Sequence, residues 1–436
     1  MSVCEECKQE HTLFEWCKAC NAKHFQENFK NWTSGSDDID KLIQNIQLSA
    51  IDSHKVLEWI PYNKFYDIEY IAKGGFGKVY RAQWIDGYIW NWDNKNKNWK
   101  RLDPNKFVAL KCLNNSENVK SEFINEITMH RKIVNEIENS AIVRVYGITR
   151  DPEEKNYIMV LQYAENGSLR NYLNKNYDKL VWKNKFKDLW YIAIGLKRIH
   201  KNELIHRDLH IGNILYFSRH ASITDMGLCK PANYNASENT KNSIYGVLPY
   251  IAPEILRGRN YTKAADIYIF GIIMYEVFSG LSPYHDVSHN RNLAIKIYQG
   301  LRPRFNIKIP QLIVNLIRRC LDVYPLNRPT AEEIGNILHE WWYRFNRQIE
   351  LQEQIKETER INDSLSTTTS TSSSYERHSE AVYTSRLLGF NNLPEPKNSD
   401  DYYDEQNDNM ISEKFSESLQ IDLSQFETNK DANENI

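Results

Sequence analysis

The sequence predicts an α+β chain with two unequal lobes, a small β-rich one followed by a larger helical one, framed by a cysteine-bearing segment and an acidic tail. Three observations carry this. Strand-like runs at Ile68–Ile71, Val79–Ile85 and Phe107–Leu110 flank a glycine cluster, helical periodicity dominates from about Leu169 to Trp342, and composition changes at both ends. The 436 residues suffice for a real core, with 41% hydrophobic and 26% charged side chains. Basic and acidic residues, 55 against 57, nearly cancel, so no global field draws the chain to nucleic acid or an anionic membrane. From Leu351 onward the balance is 7 basic to 18 acidic, or −11, which leaves the first 350 residues at +9.

Residues 1–30 carry Cys4-x-x-Cys7 and Cys17-x-x-Cys20. Each turn can place two thiolates on one ion, and together Cys4, Cys7, Cys17 and Cys20 make a four-sulfur structural zinc site. His11 and His24 stand as alternatives to one sulfur, and iron as an alternative to zinc. The start lacks a charged, apolar leader, and the longest apolar run, Ile267–Tyr275, falls far short of the ~20 residues that span a bilayer. A cytoplasmic chain is expected, nuclear as the alternative, where paired cysteines point to metal more than to disulfides. Four lysines against five glutamates through Lys30 give no nucleic-acid patch.

Residues 31–64 read as a linker with a short amphipathic helix, its apolar face Ile39, Leu42, Ile43 and Ile46 packed on its own chain. The linker is expected to uncouple the cysteine segment's stability from the rest. Residues 65–345 form the two lobes, with an extended hairpin around Trp90, Trp92 and Trp99 whose period-two tryptophans are read as covering a sheet. Residues 346–436 begin as a helical extension. Between Ser364 and Ser374 all but Leu365 are Ser or Thr, and the acidic stretch beyond is poor in apolar periodicity, so disorder is expected from about Asn362.

The chemistry concentrates in the lobes. Ile71, Gly74, Gly75, Phe76, Gly77 and Val79 put glycines where a strand turns back, allowing backbone N–H groups to approach a phosphate. Lys111 can bridge nucleotide phosphates and Glu126 can hold its ammonium. Next come His206-Arg207-Asp208 with Asn213 five residues after the Asp, then Asp225-Met226-Gly227, Ala252-Pro253-Glu254, Asp266 and Arg328.

In this order and spacing, the stretch from about Phe65 to Trp342 resembles a eukaryotic protein kinase domain. The phrase Glu165-Asn166-Gly167-Ser168-Leu169 resembles the tyrosine-kinase-like branch, and the paired cysteines resemble expanded fungal kinases with such an N-terminus. The resemblance implies a bilobal kinase fold binding ATP and Mg²⁺ and acting on protein substrates. Ile71, Gly74, Gly75, Phe76 and Gly77 cover the nucleotide, Val79 and Ala109 sandwich adenine, Gln162, Tyr163 and Ala164 form the hinge, and Leu161 gates the back pocket. Lys111 pairs with Glu126, Asp208 accepts the substrate proton, and Asn213 and Asp225 hold Mg²⁺. Glu254 and Arg328 pair, Asp266 steadies the catalytic loop, and Arg207 receives an activating phosphate on Thr240 or Ser243. The γ-phosphoryl group goes to Ser/Thr, with Tyr as the second possibility, and the rival reading is a pseudokinase scaffold. Ala72 and Met226 depart from the family pattern, as do His210 and Val247, where serine/threonine kinases commonly have Lys and Thr. The tyrosine-kinase alternative, an Arg two or four residues after Asp208, is also missing, with Gly212 at the latter place. The oligomeric state is left open.

Overall fold

The computed structural model describes residues 3–12, 15–73, 77–113, 121–133, 141–232, 244–368 and 377–389. Two helices come first, α1 (Lys18–Asn28) and α2 (Asp37–Ser49). The small lobe follows, with strands β1 (Glu58–Trp59), β2 (Phe65–Lys73), β3 (Gly77–Trp84), β4 (Tyr88–Asp93), β5 (Asn98–Leu102) and β6 (Lys106–Leu113). Helix α3 (Ser121–Ile133) and strands β7 (Val145–Arg150) and β8 (Tyr157–Gln162) complete it. Six strands form one sheet in the order β1-β7-β8-β6-β3-β2, while β4 and β5 pair as a separate hairpin.

The stretch before Phe65 is more than a linker. Strand β1 adds a parallel edge to β7, and its carbonyl lies where a Cβ on Gly147 would meet it at 2.3 Å, so only glycine fits opposite Glu58. Helix α2 starts with Asp37, Asp38 and Asp40, favourably placed against the positive end of its dipole. Its Ile39 and Ile43 are fully buried in one core with Phe123 and Ile127 of α3, so the amphipathic helix does pack on its own chain. The helix that carries Glu126 is therefore braced from behind.

The large lobe contains α4 (Leu169–Asn176), α5 (Trp182–Lys201), β9 (Leu204–Ile205), β10 (Ile214–Tyr216), β11 (Ala221–Ile223), β12 (Lys230–Pro231) and β13 (Ile244–Gly246). Helices α6 (Pro253–Leu256), α7 (Lys263–Ser279), α8 (Arg291–Tyr298), α9 (Gln311–Cys320), α10 (Ala331–Tyr343) and α11 (Ile349–Thr368) follow, then β14 (Arg386–Leu388). The run Ile267–Tyr275 is the middle of α7, buried on all sides from Ala265 to Ser279 as the axis of the main core. No helix among the described residues is long and apolar enough to cross a membrane. Start signals are explicit: Ser168 caps α4, Asn290 caps α8, and Thr330 with Glu333 forms a capping box on α10.

Disorder from about Asn362 is contradicted in part. Helix α11 runs on to Thr368, and residues 377–389 lie against the large lobe, with β14 paired antiparallel to β13. Ala381 and Leu388 are buried, and these anchors supply the apolar contact that composition alone did not reveal.

Asp188 on α5 is 2% exposed, and burial pushes its carboxyl up to about 7. The folded chain keeps this proton to higher pH than the unfolded chain, so the group costs stability progressively from about pH 4 to 7, the full penalty persisting above. Asp188→Asn is expected to raise the melting temperature at pH 8 and leave it nearly unchanged at pH 4. An equal shift at both values would refute this.

Candidate active site

Strand β6 sets Lys111 opposite Val79 of β3 and Met159 of β8. Lys111 Nζ donates to Glu126 Oε1 at 2.8 Å and to Asp225 Oδ1 at 2.9 Å. Burial opposes charge on the ammonium, but the carboxylates of Asp225 and Glu126 outweigh it and hold Lys111 protonated. The same ammonium holds Asp225 ionised against burial. Met226 is buried, and the Gly227 N–H donates to Asp225 Oδ1 at 3.3 Å, so Met in place of Phe leaves the carboxylate in place.

The loop after β9 is fixed by Asp266 at the start of α7. Its carboxylate is fully buried and accepts from the backbone N–H of His206 (2.9 Å) and Arg207 (3.1 Å) and meets His200 Nε2 at 3.0 Å. Arg207 sits in the left-handed region, φ +71°, a strain those bonds hold in place, and its guanidinium lies 4.7 Å above the Tyr261 ring. Asn213 Nδ2 donates to the Asp208 carbonyl at 2.9 Å and to Asp208 Oδ2 at 3.3 Å. Burial pushes the Asp208 carboxyl up to about 7, against the hydrogen bond from Ser385.

His210 fills the place where the resemblance leads one to expect Lys. Burial pushes it down to about 3, so the ring is neutral. Its Nδ1 accepts the Gly212 N–H at 3.1 Å, which puts the proton on Nε2, 3.4 Å from Ser385 Oγ and 4.0 Å from Asp208 Oδ2. A neutral donor thus stands where a cation is usual. A Cβ on Gly212 would meet the His210 ring at 2.8 Å, so a larger residue there would displace the ring from its hydrogen bond to the Gly212 N–H.

Of the nucleotide-side residues, Gly77 opens β3, and Ala109 stands between Arg81 and Leu161 in the ladder, with Gln162 opposite Val108. Ala164 packs with Val143 and Phe217 where the two lobes meet. Ile71 and Val79 lie on β2 and β3 near the glycine turn. Gly74, Gly75 and Phe76, like Thr240 and Ser243, lie outside the described residues. Arg328, its side chain fully buried, donates to both Glu254 oxygens at 2.7 and 2.8 Å.

The model of the family described as protein tyrosine and serine/threonine kinase matches residues 67–338. The chain belongs to that family. Over 291 residues this kinase chain is 27% identical to a probable serine/threonine-protein kinase of Dictyostelium discoideum, an overlap of 64% of this chain and 15% of the relative. It is 28% identical over 299 residues to the RGS domain-containing serine/threonine-protein kinase A of that organism, covering 68% and 24%. Aurora kinase of Schizosaccharomyces pombe is 27% identical over 282 residues, covering 63% and 70%. The chain spans less than a quarter of the length of these Dictyostelium relatives.

Outside the kinase match, Cys4, Cys7, Cys17 and Cys20 converge. Their sulfurs all lie within 4.8 Å of one another, with Cys4–Cys20 at 3.8 Å and Cys7–Cys17 at 3.5 Å. Zinc with Zn–S bonds of about 2.3 Å sets tetrahedral sulfur–sulfur edges of about 3.8 Å, so the donor set fits that ion. His24 is engaged elsewhere: Nε2 lies 2.9 Å from Glu6 and the ring stacks on Trp92 at 3.9 Å. Phe25 stacks on Trp99 at 4.2 Å, and Trp16 Nε1 donates to the Ala50 carbonyl. The hairpin's Trp92 and Trp99 therefore cover the cysteine segment. This corrects the expectation that these tryptophans cover a sheet, and it places the cysteine segment against the small lobe's hairpin.

Sequence reasoning missed Ser385, whose hydroxyl donates to Asp208 Oδ1 at 2.7 Å. Nothing local marks this serine, because the signal is the pairing of β14 with β13.

Proposed function

We propose that the chain is an ATP- and Mg²⁺-dependent protein kinase that transfers the γ-phosphoryl group to a protein hydroxyl, Ser/Thr ahead of Tyr. The observation that carries this reading is the joint placement of Lys111, Glu126 and Asp225 with Asp208 and Asn213. Intact ion pairing of the strand lysine with the helix glutamate is a condition for phosphoryl transfer in this chemistry. Asn213 uses Nδ2 toward Asp208, which leaves Oδ1 for a cation, and Asp225 offers Oδ2 beside its engaged Oδ1. Two hard oxygens suit Mg²⁺, which when bound neutralises charge on the transferred phosphoryl group. Asp208 orients the acceptor hydroxyl and takes its proton, and Lys111 steadies the nucleotide phosphates. The presence of all five residues favours turnover over the rival reading of a pseudokinase scaffold, which His210 and Val247 keep as the alternative. The two Dictyostelium relatives are named as serine/threonine-protein kinases, which supports serine and threonine. Incubation with MgATP and paired Ser and Tyr peptides, read by phosphoamino-acid analysis, tests the preference: phosphoserine is expected, and phosphotyrosine alone would overturn it.

Three finer assignments accompany this reading. The Glu165–Leu169 phrase supports the tyrosine-kinase-like branch, and Arg207 is assigned as receptor for a phosphate on Thr240 or Ser243. The four cysteines are assigned to one structural zinc. Elemental analysis is expected to find about one zinc per chain. Because Trp92 and Trp99 pack on α1, Cys4→Ser with Cys7→Ser should release the metal and also lower the melting temperature of the small lobe. Metal-free protein with unchanged melting would contradict both points.

A further inference from the structure

The segment 377–389 crosses the mouth of the active site as a bound substrate would. Strand β14 pairs antiparallel with β13, in the register Ile244–Leu388, Tyr245–Leu387 and Gly246–Arg386. The next residue back, Ser385, reaches Asp208 Oδ1 at 2.7 Å and lies 3.4 Å from His210 Nε2. The docking is built at several points. Leu388 is buried in the large-lobe core, and Tyr383 donates its hydroxyl to the Pro283 carbonyl at 2.8 Å. His289 Nδ1 meets the Val382 carbonyl at 2.9 Å, and Arg386 donates to the His289 carbonyl at 2.6 Å. The Arg170 guanidinium lies 5.1 Å from the Tyr383 ring.

We propose that Ser385 is a phosphoacceptor of this chain's own active site, presented in cis by the strand that its C-terminal segment adds to β13. The proposal rests on the kinase reading above and names that site's first substrate. The Ser385 O–H already points at the carboxylate that would take its proton, which frees an oxygen lone pair for attack. Ser385 Oγ forms a bond to the γ-phosphorus of ATP, and the bond from that phosphorus to the β,γ-bridging oxygen breaks. ADP leaves with the electron pair, and the hydroxyl proton passes to Asp208.

The product does not belong where the substrate sat. A phosphate of about −1.5 to −2 charge beside Asp208, with Asp225 nearby, is repelled by both carboxylates. The segment is then expelled, and the acceptor position opens to other proteins. Until that happens the segment and external substrates exclude one another, because both need the edge of β13 and the same carboxylate.

The test uses full-length protein, MgATP and myelin basic protein as external acceptor, with phosphosite mapping by mass spectrometry. Wild type is expected to carry phosphate on Ser385 with a first-order rate constant independent of enzyme concentration. Its activity on the external acceptor should rise at least about threefold after preincubation with MgATP, as repulsion empties the site. Leu388→Asp, which puts a charge in the anchoring core position, should lose Ser385 phosphorylation at least about tenfold and be fully active from the start. Ser385→Ala should stay docked and show no rise. An Asp225→Asn chain mixed with active Leu388→Asp should remain unphosphorylated at Ser385. External phosphorylation with Ser385 unmodified would overturn the proposal and leave the kinase reading standing, whereas no transfer to either acceptor would overturn both. A per-chain rate constant for Ser385 phosphorylation that rises in proportion to enzyme concentration would overturn presentation in cis.

Discussion

Asp225→Asn should reduce phosphoryl transfer by about 10²–10³-fold, the scale on which removing one preorganised electrostatic contact acts. The fold should survive. Lys111 now faces two carboxylates, and the substitution leaves it paired one-to-one with Glu126 at 2.8 Å, which removes a surplus buried negative charge. The amide has the same shape, so the melting temperature should move by no more than about 3 °C. Lys111→Met is the less clean experiment. It too abolishes transfer, but it leaves Glu126 and Asp225 facing each other without a cation, so activity and stability fall together. Steady-state rates and calorimetry on both variants check this, and an active Asp225→Asn protein would remove the residue from the site.

Arg328→Met should produce the largest loss of stability from a single change in the large lobe. The guanidinium is wholly buried and donates to both oxygens of Glu254, to the Ala264 carbonyl at 2.9 Å and to the Asp322 carbonyl at 2.8 Å, and it lies 5.1 Å from the Tyr268 ring. Removing it leaves a partly buried carboxylate and three carbonyls, those of Ala264, Asp322 and Val323, without this donor, at a cost of about 3–5 kcal/mol. Arg328→Met with Glu254→Leu should recover part of this, because no unpaired charge remains. Denaturant unfolding measures both. Equal stability of the single and double variants would show that the pair is not the cause.

The site residues legible in the sequence were those marked by short local patterns. Lys111 follows a strand alternation, and Asp208 with Asn213, and Asp225 with Gly227, are fixed by spacing that a loop preserves whatever surrounds it. The two-lobe architecture was legible for the same reason, since strand and helix periodicities are local. What stayed hidden depends on distant partners. Ser385 is 177 residues from Asp208, in a stretch whose low apolar content reads as disorder until Leu388 meets the core. The two-residue spacing of Trp90 and Trp92 points to a shared strand face, but not to the pairing of Trp92 with Trp99 nor to His24 and Phe25 as what they cover. His210 reads as the loss of a lysine, and only the Gly212 N–H on its Nδ1 shows that a neutral donor takes the place. The face of α2 was visible, and its target, the core behind Glu126, was not.

The kinase assignment is tested most directly by the initial rate of γ-phosphoryl transfer from radiolabelled MgATP to myelin basic protein, compared between wild type and Asp208→Asn, with nucleotide binding to each measured separately. Transfer by wild type is expected, together with loss of transfer and retained nucleotide binding in the variant, since Asp208 handles the acceptor hydroxyl while Lys111 and Asp225 hold the nucleotide. Wild-type protein that binds MgATP but transfers no phosphate to any acceptor, its own Ser385 included, would contradict it.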